Sequence, residues 1–115
     1  MEQKYAVPEG AFILALDGEM AVGCVGIRKL EPEIAELKRL YVSDSYRGYK
    51  IGVTLLQKAL EQARILGYTK IKLDVIPTLL KAKELYLSFG FYEIRPYFKN
   101  PVEGTAYMEK VLRGE

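Results

Sequence analysis

A chain of 115 residues has room for one domain and not two, since a domain usually takes roughly 100–200 residues. Half of it is hydrophobic and 28% is charged, the mix of an ordinary folded protein, which excludes collagen-like, low-complexity and disordered readings. With 17 basic against 15 acidic side chains the net charge is +2, so charge alone demands neither nucleic acid nor an anionic membrane, and any anion site must be local. Met1 to Val7 is a short polar lead, and Pro8-Glu9-Gly10 punctuates before Ala11 to Leu16, long enough for one buried strand. Asp17-Gly18 signals a tight hairpin turn, Glu19 to Leu30 reads as the return strand, and Glu31-Pro32-Glu33 ends it. Ile34 to Val42 reads as a third strand in strict alternation. Ile34, Glu36, Lys38, Leu40 and Val42 then share one face, with Ala35, Leu37, Arg39 and Tyr41 on the other. Both faces are mixed in character, which points to one end lining a site.

After Ser43-Asp44-Ser45 and a polar loop, Tyr46 to Lys50, the strongest helical pattern runs from about Gly52 to Leu66. Leu55, Leu56, Ala59, Leu60, Ala63 and Leu66 recur at three- and four-residue steps, and Gly67 follows as a C′ cap. Lys70 to Ile76 resumes a strand, so strand, helix and strand at this spacing predict a right-handed parallel crossover. Pro77-Thr78 starts a second helix, Leu79 to Phe89, with Leu79, Ala82, Leu85, Tyr86 and Phe89 as its stripe and Gly90 at its end. Phe91 to Arg95 and Thr105 to Leu112 close the chain as two strands. The composite is a mixed α/β fold in a single domain, residues 1–115: one mostly antiparallel sheet flanked by helices, with one parallel βαβ crossover.

Histidine is absent, which excludes Ser-His and Cys-His nucleophile pairs and removes the commonest transition-metal ligand, so no metal is expected. The lone Cys24 reads as a small buried apolar residue and fits a reducing cytosol. No apolar run approaches the roughly 20 residues of a membrane span, and the Met-Glu-Gln-Lys start lacks signal-peptide order, so a soluble cytoplasmic protein is expected. Chemistry concentrates in Arg47-Gly48-Tyr49-Lys50-Ile51-Gly52, between a strand's C-terminal end and a helix N-terminus. Unpaired backbone N–H groups and the positive end of the helix dipole favour phosphate there, and glycines allow close approach. The bland alternative is an ordinary strand-to-helix turn with solvated charges. Neither a Gly-x4-Gly-Lys-Ser/Thr loop nor a Gly-x-Gly-x-x-Gly loop after a strand is present, which counts against ATP hydrolysis and dinucleotide chemistry.

The loop resembles the Gln/Arg-x-x-Gly-x-Gly/Ala pattern of the GNAT superfamily of acyl-CoA N-acyltransferases, with Arg47, Ile51 and Gly52 in register and Lys50 standing at the first glycine. Leu37-Lys38-Arg39-Leu40-Tyr41-Val42 before it and Leu85 to Phe91 after it also look like family segments, in the right order and spacing. The resemblance covers about residues 11 to 112 and implies acetyl-CoA or a related acyl-CoA as cosubstrate. It implies backbone amides of Gly48, Tyr49, Lys50, Ile51 and Gly52 on the pyrophosphate, with Arg47 beside them. Main-chain groups of Leu40, Tyr41 and Val42 would follow the pantetheine arm, in a splayed gap between the strands carrying Val42 and Asp74. By the same resemblance Tyr86 takes the position of the helix tyrosine that meets the leaving thiolate as an acid. Glu36, eleven residues before Arg47, takes the position of the base, directly or through water. Three departures accompany these matches. Lys50 in place of glycine strains the loop, crowds the phosphates or neutralises one of them; Leu79 stands where many relatives have an asparagine; and relatives usually begin with a strand and two helices where this chain has about ten residues, so the fold is expected to be N-terminally shortened.

Two functions follow: an N-acetyltransferase acting on a primary amine of a small molecule or peptide, or a non-catalytic module of the same fold that holds CoA or another anion, or serves assembly. RNA binding is disfavoured, because the basic residues are dispersed and no aromatic module pattern accompanies them. Nine tyrosines in so small a protein cannot all be core, and a sheet face without an N-terminal cover predicts a homodimer.

Overall fold

Alternation in the first two strands gives the sheet one covered and one open face. The protein is described by a computed structural model over residues 10–48 and 50–112. β1 (Ala11–Asp17) packs Ala11, Ile13 and Ala15 toward the core and leaves Leu14 and Leu16 about half exposed; it turns through Gly18 and Glu19 into β2 (Met20–Glu31). β3 (Ile34–Val42) returns antiparallel to β2, and a turn of 3-10 helix, Asp44–Tyr46, precedes α1 (Ile51–Ile65). β4 (Lys70–Val75), α2 (Leu80–Ser88), β5 (Tyr92–Ile94) and β6 (Ala106–Val111) complete the chain. The strand order is β1-β2-β3-β4-β6-β5, with β3 and β4 the parallel neighbours, as the strand–helix–strand spacing predicts.

α1 is the helix that closes the core. Its apolar stripe, Leu55, Leu56, Ala59, Leu60 and Ala63, is buried against Val25, Ile27, Leu37, Ile71, Leu73 and Met108 from the sheet. Each fully buried leucine or isoleucine contributes roughly 1.5–3 kcal/mol, so this one interface supplies much of the hydrophobic stabilisation. Gly67 ends the helix at φ 95°, and the next amide, Tyr68, donates to the Ala63 carbonyl, so the expected C′ glycine is in place. α2 departs from its expected stripe. The helix begins at Leu80, and Leu79 is half exposed at φ −94°, ψ 64°, because its amide already donates to Ile76 in a turn that helical torsions would break. Of the α2 residues only Tyr86 is fully buried.

Strict alternation along β3 also fails, at one residue. Gly26 faces Lys38 but Cys24 faces Tyr41, so β3 carries one extra residue, and Arg39 takes φ 61° there. A bulge of this kind reverses which side chains face which way beyond it. Leu40 and Val42 therefore turn toward α1 and the core, while Tyr41 stays with Lys38 and Glu36 on the open face. The mixed character of both faces is the trace of this reversal. Cys24 sits beside the bulge. It is partly exposed rather than buried, its thiol donates to the Arg39 carbonyl at 3.3 Å, and burial pushes that thiol up against the opposing effect of the Arg39 cation.

β3 and β4 pair only over Ile34–Lys70, Ala35–Ile71 and Glu36–Lys72. Beyond that last rung the two strands part. The bulge lies in the diverging half of β3, and the fork it helps to open positions everything that follows.

Candidate active site

The fork opens into a groove of about 910 Å³. Leu40, Tyr41 and Val42 from β3 form one wall, Arg47, Gly48, Lys50, Ile51 and Gly52 from the loop and the start of α1 a second, and Thr78 to Ala82 with Leu85 a third. The structure thus gathers the cofactor-side residues predicted from sequence around one opening, apart from Tyr49, which lies outside the described residues. No side chain caps the first turn of α1 and no acidic residue occupies it, so its leading amides face the groove's end without an internal acceptor. Arg47 is braced at the rim: Nε donates to the Val42 carbonyl at 3.2 Å and Nη1 meets Asp44 at 2.9 Å. The hydroxyl of Tyr46 donates to Asp17, tying the loop to the β1–β2 turn.

Lys50 caps α1 in the left-handed region, φ 62° and ψ 25°. Backbone strain is present at this position, since a residue with a Cβ is disfavoured there by roughly 1–2 kcal/mol. Lys50→Gly is expected to stabilise the fold by about 1 kcal/mol, read as a rise of a few degrees in melting temperature without cofactor. An unchanged or lowered melting temperature would contradict this.

A second cluster lies on the open face at the fork's closed end. Glu36 is 2% exposed; its Oε1 accepts from Arg28 Nε and lies 3.0 Å from Arg28 Nη2, and its Oε2 accepts from the Tyr97 hydroxyl at 2.9 Å. Lys38 Nζ stands 3.5 Å from Glu36 and 3.7 Å from Asp74, bridging the diverging strands. Asn100 Nδ2 donates to Asp74 at 2.7 Å, and Tyr97, Phe98 and Tyr107 stack edge to face above the cluster. Burial, with the Glu36 carboxylate adding to it, pushes the Tyr97 hydroxyl well above the ordinary phenol range.

Tyr86 is 6% exposed, its ring 5.5 Å from that of Phe91, and neither it nor Glu36 is part of the groove lining. Burial pushes its hydroxyl up to about 12, and the Asp74 carboxylate adds to the shift. Tyr92, bonded to Glu109, is also raised to about 12. A raised phenol stays protonated in the folded state after the unfolded chain has begun to ionise near pH ~10. Stability present below pH ~10 is therefore lost as pH climbs toward ~12. Absorbance titration at 295 nm should show Tyr86, Tyr92 and Tyr97 ionising late, and Tyr86→Phe should remove one late step.

A fork of this shape at the mouth of a parallel crossover, with an uncapped helix start at its end, is the architecture the sequence resemblance implies. The family profile described as Acetyltransferase (GNAT) family matches residues 2–91. The chain belongs to the GNAT acetyltransferase family. An uncharacterized N-acetyltransferase of Schizosaccharomyces pombe is 41% identical over 108 residues, covering 92% of this chain and 66% of that protein. The chain thus spans about two thirds of that relative's length, and about a third of some others it matches. A Staphylococcus aureus acetyltransferase of the same family superposes with a TM-score of 0.86 at 28% identity, over 96% of this chain and 72% of that one. A Mycobacterium tuberculosis protein solved in complex with CoA shares the fold at 19% identity and a TM-score of 0.73, over 87% of this chain and 75% of that one.

For this GNAT site the sequence marked Asp74 only as a residue of the gap's far strand and Lys38 only as part of a family segment, and did not single out Arg28, Tyr97 or Asn100. The signal available for Asp74 was its register, two residues past the rung that joins Lys72 to Glu36. Nothing in the sequence ties Asn100 or Tyr97 to strands 26 and 61 residues earlier. Among the described residues no cluster of His, Cys, Asp and Glu could hold a metal ion, and no helix is long and apolar enough to cross a membrane.

Proposed function

We propose that the chain is one acetyltransferase unit that moves an acetyl group from acetyl-CoA to a primary amine of a small molecule or peptide. The observation that carries this reading is the groove at the β3–β4 fork, ending on the uncapped start of α1, in a chain of this family. Amides from Gly48 through Tyr49 and Lys50 to Gly52 hold the pyrophosphate, where the helix dipole and unpaired N–H groups favour an anion. Main-chain groups of Leu40, Tyr41 and Val42 continue the β3 ladder onto the pantetheine arm, taking the place of the partner strand that β4 ceases to be beyond Glu36. The amine nitrogen attacks the thioester carbonyl carbon, the C–N bond forms and the C–S bond breaks. Glu36 accepts the proton leaving nitrogen, directly or through water, and Tyr86 supplies one to the departing sulfur. With its pKa raised to about 12, Tyr86 is in the donor form at neutral pH, as an unperturbed phenol also is.

Acetyl-CoA should raise the melting temperature, and free thiol should appear when an amine panel is added. Absence of any acetyl-CoA-dependent shift would overturn the reading. The second reading is a non-catalytic CoA-binding or assembly module. Its support is that Glu36 is already engaged by Arg28, Tyr97 and Lys38 while Tyr86 is packed in the core; a melting shift with no thiol release from any amine would favour it. A cytoplasmic setting fits the one unpaired thiol. Phe12, Leu14 and Leu16, about half exposed on the open face, support a homodimer; monomer alone by light scattering at high concentration would exclude it.

A further inference from the structure

The acceptor must reach the fork from the open face, because the opposite face is filled by α1 and the core. The charges on that face are nearly all paired. Arg28 and Lys38 meet Glu36, Lys38 also meets Asp74, and Lys70 lies 3.9 Å from Glu109. Lys72 is the exception. It occupies the last paired rung beside Glu36 and stands opposite Glu109 on β6, but its ammonium rests 5.3 Å from the centre of the Tyr97 ring and makes no ion pair with a carboxylate among the described residues. The ring it rests on is the one whose hydroxyl holds Glu36. The face therefore presents buried carboxylates suited to a transferable amine and, one aromatic ring away, a partly buried cation held by a ring face rather than by an ion pair.

We propose that the acceptor amine carries a carboxylate, as an amino acid does, and that Lys72 is the residue that selects for it. This rests on the acetyltransferase reading above. With a neutral amine poised to react, the four cations Arg28, Lys38, Lys70 and Lys72 stand against the three carboxylates Glu36, Asp74 and Glu109, whereas an acceptor with one carboxylate a few bonds from its nitrogen balances the cluster. Tyr97 aligns the two ends: its hydroxyl fixes Glu36, and its face holds the Lys72 ammonium in place by a cation–π contact, so neither group must be ordered when the acceptor arrives. Lys72 thus acts on acceptor binding, with the proton transfer left to Glu36.

The test compares free amino acids with their carboxamides as acceptors in a thiol-release assay with acetyl-CoA. The acids should exceed their carboxamides in kcat/KM by roughly ten- to a hundredfold, the worth of one charge-assisted hydrogen bond. Lys72→Met should erase that ratio by raising KM for the acids and should be rescued by Lys72→Arg. Turnover of carboxamides or of spermidine as fast as the acids, or an unaltered ratio in Lys72→Met, would overturn the proposal and leave the acetyltransferase reading standing. No turnover of any acceptor would overturn both.

Discussion

Glu36→Gln should give a folded protein whose kcat is ~10²- to 10⁴-fold lower, the usual loss when a positioned base is removed, with the KM for acetyl-CoA little changed. The amide preserves the shape of a side chain that is 2% exposed, and its carbonyl oxygen still accepts from either Arg28 or Tyr97. Its NH2 then meets a donor on the other side, and one unsatisfied buried contact costs about 1–3 kcal/mol. Glu36→Ala should be worse for folding. Breaking a buried ion pair by deleting one member costs ~3–5 kcal/mol, but Arg28 is 35% exposed and water can reclaim part of its charge, so the lower end applies. Urea melts read the stability effect and thiol release reads kcat. Full kcat in the folded Glu36→Gln protein would make the carboxylate purely structural and move the base to Asp74 or to water.

The elements that build the groove were legible because each carries a local signature. The α1 stripe recurs at helical spacing, Asp17-Gly18 marks the hairpin, and Gly67 marks the helix end; these place β1 to β4 and the parallel crossover within a residue or two of where they lie. Their shared feature is that short-range chemistry decides them. The bulge at Arg39 was not legible, because a positive φ at a non-glycine residue is imposed by tertiary pairing against a preference of the residue itself. The Glu36 cluster was hidden for a related reason. Arg28, Glu36, Asp74 and Tyr97 come from two hairpin strands, the far strand of the crossover and the loop between β5 and β6. Only the sheet register brings them together. The burial of Tyr86 was within reach, since an aromatic residue on an apolar stripe is ordinarily core; what the stripe does not reveal is the Asp74 carboxylate that raises its pKa.

Gly52→Asp should separate folding from cofactor binding by moving them in opposite directions. Gly52 lies in the first turn of α1, where a Cβ would meet Val42 Cγ2 at 3.7 Å and Leu85 Cδ2 at 4.0 Å, both ordinary contacts. No steric penalty to the free protein is therefore expected. Replacing a helical glycine by aspartate relieves only about 0.3 kcal/mol of propensity cost, and an aspartate beside the uncapped amides gains roughly 0.3–1 kcal/mol from the helix dipole in a first turn that has no acidic residue. The free protein should melt at a higher temperature. The same carboxylate occupies the ground on which the pyrophosphate would sit. Two like charges about 4 Å apart repel by up to ~4 kcal/mol at the effective dielectric of a protein surface, so acetyl-CoA affinity should fall by ~10²- to 10³-fold. Gly52→Ala, which fills the same space without charge, should lose much less. Calorimetric titration with acetyl-CoA alongside thermal melts of all three proteins would decide it. An aspartate variant that still binds acetyl-CoA as tightly as the parent would place the pyrophosphate away from the start of α1 and undo the assignment of the loop.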